Sequence, residues 1–358
     1  MPPTQPHSLT LRPTKSATRI FIHSQFFTKI QRLSLTPSTS LAGKTALITG
    51  GNTGLGYLAA RHLLSLDLSR LILAVRSPDK GKRVAQELRA AYPRAAVDVW
   101  ELEMGDYDSV RGFARRAEAE FSNTRADGKK RLDIAILNAG MTRTDFARNA
   151  KTGHCEVVQV NYLSTFLLAM LLLPVMRDRA GEKPGRLSIV NSGGAYIAKM
   201  PNRAKRPFLA SFDDPAVQPW DAMERYFASK VLGMMFFVKL FEYLPSADEL
   251  VVNLVDPGFC KGTDLHRDAK GLVSAVLSVW KGLTARSLED GAWTYVDAAV
   301  VKGKESHGCF VMDWELRPFV YIIYEPEGPE LIETLFEETM AELEFAGVRE
   351  ILGGLKTK

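Results

Sequence analysis

Apolar residues along this chain fall into short continuous runs separated by longer amphipathic stretches. Lys44–Gly50 (KTALITG), Arg70–Val75 (RLILAV), Ala96–Leu102 (AVDVWEL), Leu132–Leu137 (LDIAIL), Arg186–Asn191, Leu250–Val255 and Gly308–Asp313 read as strands. RLILAV is apolar after its first residue and bounded by charge, which predicts a strand buried on both faces. Leu55–Leu66, Asp79–Ala91, Ser109–Phe121, a long stretch around Asn161 and Met223 to Tyr243 have helical spacing. Glu330–Phe345 predicts a charged amphipathic helix near the end. Strands alternating with helices at this pitch predict one α/β domain, a Rossmann-type doubly wound parallel sheet in three α/β/α layers. That domain takes residues 41–358, with 1–40 as an N-terminal extension. Two segments interrupt the pattern, 193–222 and 259–287. Both follow strand ends, where ligand-facing loops belong.

Val157–Met176 carries no charge and is long enough to span a bilayer. It holds Gln159, Asn161, Ser164, Thr165 and Pro174, and charge bounds it on both sides. The expectation is a buried core helix and no transmembrane span. Lys and Arg number 46 against 41 Asp and Glu, a net charge of +5. Six of the basic residues and no acidic one lie in residues 1–44, leaving 40 basic and 41 acidic residues elsewhere. The domain is therefore close to neutral, and no nucleic acid is expected as a partner. The first 43 residues are rich in Ser and Thr and free of acids, the composition of an import signal. Ile20–Ile30 is mixed apolar and polar and could equally pack on the domain. A cytoplasmic location is expected, with mitochondria as the alternative. Cys155, Cys260 and Cys309 lie far apart and the six histidines form no cluster, so neither disulfide nor metal site is expected.

Candidate chemistry begins after the first strand, at Thr49–Gly56 (TGGNTGLG). Gly50, Gly54 and Gly56 allow backbone to approach a pyrophosphate, and Asn52 and Leu55 complete the turn. The following helix offers free N–H groups and its positive dipole end. At the end of the second strand stands Arg76, with no acid beside it in sequence. Arginine suits a ribose 2′-phosphate, where an acid would bind the 2′-hydroxyl, so NADP(H) is favoured over NAD(H).

Tyr226-Phe-Ala-Ser-Lys230 opens a predicted helix and puts Tyr226 and Lys230 on one face. A phenol with a pKa near 10 is a poor base at neutral pH, and a nearby ammonium would lower it. Tyr226 could then exchange a proton with a carbonyl or alcohol oxygen. Ser192, after a predicted strand, could hydrogen-bond the developing alkoxide.

These residues together resemble the short-chain dehydrogenase/reductase family. TGGNTGLG resembles its TGxxxGxG turn, and Leu137-Asn-Ala-Gly140 its NNAG. Asn161, Ser192, Tyr226 and Lys230 match its Asn-Ser-Tyr-Lys tetrad. Asp256-Pro-Gly258 with Thr263 resembles its Pro-Gly…Thr segment, although the spacing is one residue longer, with Gly262 before Thr263. The resemblance implies that Asn161 supports a water in a proton relay to Lys230, and that Asn138 and Gly140 line the cofactor. It places Glu103 beside the adenine, and Cys260 and Thr263 at the nicotinamide end. Within the family the chain is similar to retinol-dehydrogenase-like members and fungal relatives of secondary metabolism, such as polyketide tailoring. The implied activity is NADP(H)-dependent exchange of a ketone or aldehyde with an alcohol on a small, largely apolar substrate. The apolar Val273–Leu283 run would close over the site. A non-catalytic NADP(H)-binding regulator, or a dehydratase or epimerase on the same fold, are the alternatives. The helix faces at Asn161 and Tyr226 could pair in a homodimer, as in many members.

Overall fold

In the computed structural model, eight strands form one sheet in the order β3-β2-β1-β4-β5-β6-β7-β8. They are β1 Thr45–Thr49, β2 Arg70–Val75, β3 Ala96–Glu101, β4 Ile134–Leu137, β5 Gly185–Val190, β6 Leu250–Asp256, β7 Phe310–Met312 and β8 Glu315–Arg317. All neighbours pair parallel except β7 and β8, which form an antiparallel hairpin. The structure describes residues 5–13, 16–121, 131–177, 184–261 and 285–355. Thr263 and Val273–Leu283 lie outside the described residues.

Each central strand is apolar on both faces because each face meets helices. Ile48, Leu71, Leu73 and Ile136 enter one core, with Leu63 of α1 (Gly54–Ser65), Leu88 of α2 (Pro78–Ala91) and Val296 of α6 (Leu288–Val296). Leu47, Ile72, Ala135 and Leu254 alternate with them and enter the other core. There they meet α3 (Tyr107–Phe121), α4 (Glu156–Met176), α5 (Ala222–Leu240), α7 (Gly328–Glu342) and α8 (Val348–Leu355). Among the described residues α4 alone is long and apolar enough to cross a membrane, and 83% of its apolar window is buried inside the molecule. Its apolar character on all sides is that of a core helix.

Three segments take definite places in the structure. Residues 193–222 are anchored to the domain: Phe208 and Phe212 are fully buried, and the Glu338 carboxylate accepts from the Phe208 and Leu209 N–H groups at 2.8 and 2.6 Å. The faces of α4 and α5 expected to meet a second copy are covered from within. Phe236 of α5 stacks on Phe336 of α7 at 5.3 Å, and the Tyr162 hydroxyl of α4 meets Thr339 at 2.6 Å. The N-terminal extension also packs on the domain, with Ser8 and Ser24 buried.

A histidine ties the insertion to the C-terminal helix. His154 Nδ1 lies 2.7 Å from Asp213, and Nε2 lies 3.1 Å from Glu342. Burial alone would lower its pKa, but the two carboxylates push it up to about 9. A folded pKa raised above the unfolded value gives stability that is complete below about pH 6.5 and lost as pH rises through 9. His154→Gln should therefore unfold at lower temperature than wild type at pH 6, and the gap should close by pH 9.5 in thermal melts.

Candidate functional site

The carboxyl ends of the parallel strands share one edge of the sheet, where ligands bind in such folds. Asp221 starts α5 by accepting hydrogen bonds from Met223 and Glu224 N–H, both at 3.0 Å. That start places Tyr226 and Lys230 one turn apart in the first half of the helix. Lys230 is only 5% exposed, and its Nζ donates to the Val190 carbonyl at the end of β5, 3.0 Å away. The same nitrogen lies 5.8 Å from the centre of the Tyr226 ring. Ser192 begins a tight turn, Gly193–Ile197, and its hydroxyl accepts from Gly194 N–H at 3.0 Å.

The electrostatics correct one expectation. Burial pushes the Tyr226 phenol up to about 12; the Ser192 hydroxyl, by hydrogen bonding, lowers it, while Asp256 and Cys260 raise it. Enclosure dominates the shift of the phenol, and the Lys230 ammonium bonds the Val190 carbonyl. Burial lowers Lys230 to about 8, opposed by the Asp256 carboxylate. Asp256 is itself buried. It accepts from Gly193 N–H at 2.8 Å and Gly258 N–H at 2.9 Å. Burial raises its pKa to about 6, against those N–H groups and Arg286 and with a push from Asp313. In sequence Asp256 stands only as the first residue of Asp-Pro-Gly. Nothing in the motif shows that it joins the Ser192 turn to the Pro257 loop.

Asn161 sits in a π-helical turn of α4, Gln159–Ser164. Its Oδ1 accepts from Met141 N–H at 2.8 Å, and its Nδ2 donates to the Met141 carbonyl at 2.8 Å and to Ser229 at 3.1 Å. The side chain therefore braces the segment after β4. A Cβ on Gly140 would lie 3.3 Å from Asn161 Oδ1 and 4.0 Å from Lys230 Nζ, so these three residues share one space. Ser192, Tyr226, Lys230 and Asn161 thus come together.

The glycine turn fits a dinucleotide pyrophosphate. Gly50 and Gly54 have φ of 66° and 55°, which side-chain-bearing residues rarely adopt. A Cβ on Gly56 would fall 2.5 Å from the Gly50 carbonyl and 2.6 Å from Asn138 Nδ2, while Gly54 opens into free space. Gly54 also starts α1, whose free N–H groups favour an anion. Asn138 Nδ2 donates to the Thr49 carbonyl at 2.9 Å and, longer, to that of Gly50 at 3.3 Å, so its amide holds the turn. Asn52 is half-buried in the turn, and Leu55 packs towards Gly291 of α6. Arg76 is 72% exposed beyond β2, and its Nε lies 3.8 Å from Glu103. An acid thus does stand by Arg76, supplied by the end of β3 and not by neighbours in sequence. The other Glu103 oxygen accepts from Gly105 N–H at 2.9 Å. The Cys260 sulfur is buried against Gly291, and burial pushes its thiol up to about 12, so any contact to a ligand falls to its backbone.

A family model described as short chain dehydrogenase matches residues 44–204. The short chain dehydrogenase/reductase mfmJ of Annulohypoxylon moriforme is 48% identical over 337 residues, 94% of each chain. The short-chain dehydrogenase fogG of Aspergillus ruber is 40% identical over 343 residues, 94% of this chain and 95% of its own. Among solved structures, the NADPH-dependent 3-quinuclidinone reductase from Rhodotorula rubra has a TM-score of 0.53 at 22% identity. It covers 80% of this chain and 96% of its own, a likeness of fold.

Gly56→Ala sets a methyl group against backbone. It should weaken binding of a reduced nicotinamide dinucleotide about tenfold or more, with circular dichroism unchanged, as read by fluorescence titration.

Proposed function

The chain belongs to the short-chain dehydrogenase/reductase family, and on that premise we propose that it is an NADP(H)-dependent oxidoreductase. It interconverts a ketone or aldehyde with an alcohol on a small, largely apolar molecule, of the kind fungal secondary metabolism provides. The observation that carries this reading is the meeting of Tyr226, Ser192 and Lys230 beside the glycine turn.

The bound cofactor would supply or accept a hydride at its nicotinamide ring. The chain does the rest. The glycine turn and the start of α1 hold the pyrophosphate. Arg76 meets the 2′-phosphate, with Glu103 orienting its guanidinium. With a pKa raised to about 12, Tyr226 keeps its proton at neutral pH, the state needed to protonate a carbonyl oxygen during reduction. Ser192 stands close enough to that phenol to share the same oxygen and stabilise its developing charge. Lys230 donates to the ribose hydroxyls and, through the space beside Gly140 and Asn161, re-supplies the proton.

Two variants separate the roles. Tyr226→Phe should lower kcat for NADPH-dependent ketone reduction about 100-fold or more while the NADPH Kd stays within about twofold. Full activity in that variant would overturn the mechanism. Arg76→Ala should raise the Kd for NADPH about tenfold and leave that for NADH unchanged, by parallel titrations.

A further inference from the structure

The N-terminal extension reaches the nicotinamide side of the proposed site. Ser24 is 2% exposed. Its hydroxyl donates to Asp313 Oδ1 at 2.7 Å. Arg286 Nη2 donates to the Ser24 carbonyl at 2.6 Å and to its hydroxyl at 3.2 Å. Arg286 and Asp313 form an ion pair whose side chains are only 4% and 2% exposed. Two charges so enclosed must be closely paired and hydrogen-bonded to persist, and Ser24 supplies bonds to both. Asp313 and Trp314 make the β7–β8 turn with φ of 58° and 60°, a conformation costly for both residues. The Arg286 guanidinium lies 5.4 Å from the centre of the Trp314 ring.

The same arginine holds the loop after β6. Its backbone N–H donates to the Phe259 carbonyl at 2.9 Å, and its carbonyl accepts from Lys261 N–H at 3.0 Å. Those bonds use the residues on either side of Cys260, so the Cys260 N–H and carbonyl point away from Arg286. A Cβ on Gly258 would come within 2.5 Å of Arg286 Nη1, so the guanidinium lies directly against the loop. The extension touches this loop a second time: the Phe21 and Phe259 rings meet edge to face at 5.9 Å. It also holds the start of α6, where Arg32 Nε and Nη2 donate to Asp290 at 2.9 and 2.7 Å.

We infer that Ser24 is a positioning residue: through the buried Arg286–Asp313 pair it fixes the Pro257–Cys260 segment so that the Cys260 backbone meets the nicotinamide end of the cofactor. The ligand half of this inference rests on the proposed function; the loop-fixing half does not. An extension that merely coats the surface would leave the loop indifferent to Ser24.

The test compares wild type, Ser24→Ala and Ser24→Thr. In the cofactor-free protein, hydrogen exchange is read at the Gly258 and Cys260 amides. Titrations then use NADPH and 2′-phospho-ADP-ribose, which lacks nicotinamide. Losing a buried hydroxyl that bonds a charged pair should speed loop exchange about tenfold in Ser24→Ala. NADPH binding should weaken about fivefold and kcat should fall, while the nicotinamide-free analogue binds within about twofold of wild type. Ser24→Thr should restore all three. Unchanged exchange, or equal weakening of both ligands, would overturn the inference. Phe21→Ala loosens the same loop from its other side; if Ser24→Ala fails to fold, faster exchange there supports the inference and unchanged exchange overturns it. Wild type that binds neither ligand contradicts the proposed cofactor, and the exchange result alone then decides the role of Ser24.

Discussion

The site is built around a lysine ammonium buried away from water. A charge so placed is costly unless hydrogen bonds and an opposite charge compensate it. Lys230 obtains its bond from the Val190 carbonyl, at the end of β5, and its opposite charge from Asp256, at the end of β6. Both partners belong to the strand ends where the parallel sheet opens. The lysine therefore depends on the register of β5 and β6 and on the cap that starts α5. Tyr226 takes its place from the same helix start. Its high pKa follows from the same enclosure that lowers that of the lysine.

Asp256 connects this centre to the loops around it. One carboxylate oxygen takes the N–H of Gly193, beside Ser192, and the other that of Gly258 in the loop after β6. That loop continues into the bridge with Arg286, and Arg286 into the buried pair with Asp313 at the last hairpin. Tyr226, Ser192 and the loop after β6 thus lie on one bonded path across the ends of β5, β6 and β7. The excess positive charge of the sequence lies elsewhere, in an extension that buries Ser8 and Ser24 and leaves Phe26 and Phe27 exposed.

Much of this was legible in the chain. RLILAV reads as a doubly buried strand because both faces of β2 meet helices, and the strand spans those same six residues. The Tyr226–Lys230 pair and the glycine turn were legible because their spacing follows from local geometry: one helical turn, or one strand-to-helix turn. What escaped depends on distant contacts. The β8 strand has three residues and no periodicity, and it exists because the Asp313-Trp314 turn folds it back on β7. The meeting of Glu103 with Arg76 comes from β2–β3 pairing, which no local pattern records. Helix α6 was not read from the sequence, and its packing on α1 decides its place. The apolar faces of α4 and α5 meet α7 of the same chain, which the charged pattern of Glu330–Phe345 announced without showing where it docks.

On the proposed function Lys230 works as a buried ammonium, and the Asp256 carboxylate opposes the lowering of its pKa by burial. The most direct test is the pH dependence of kcat/KM for NADPH-dependent ketone reduction in wild type and in Asp256→Asn. That ratio reports ionisations of the free enzyme. With the protonated lysine as the proposed competent form, the rate should fall as pH rises through about 8. Removing the carboxylate should move that fall to lower pH, because Asp256 raises the lysine pKa. A profile that stays level well into the alkaline range, or one that Asp256→Asn leaves in place, would contradict the account.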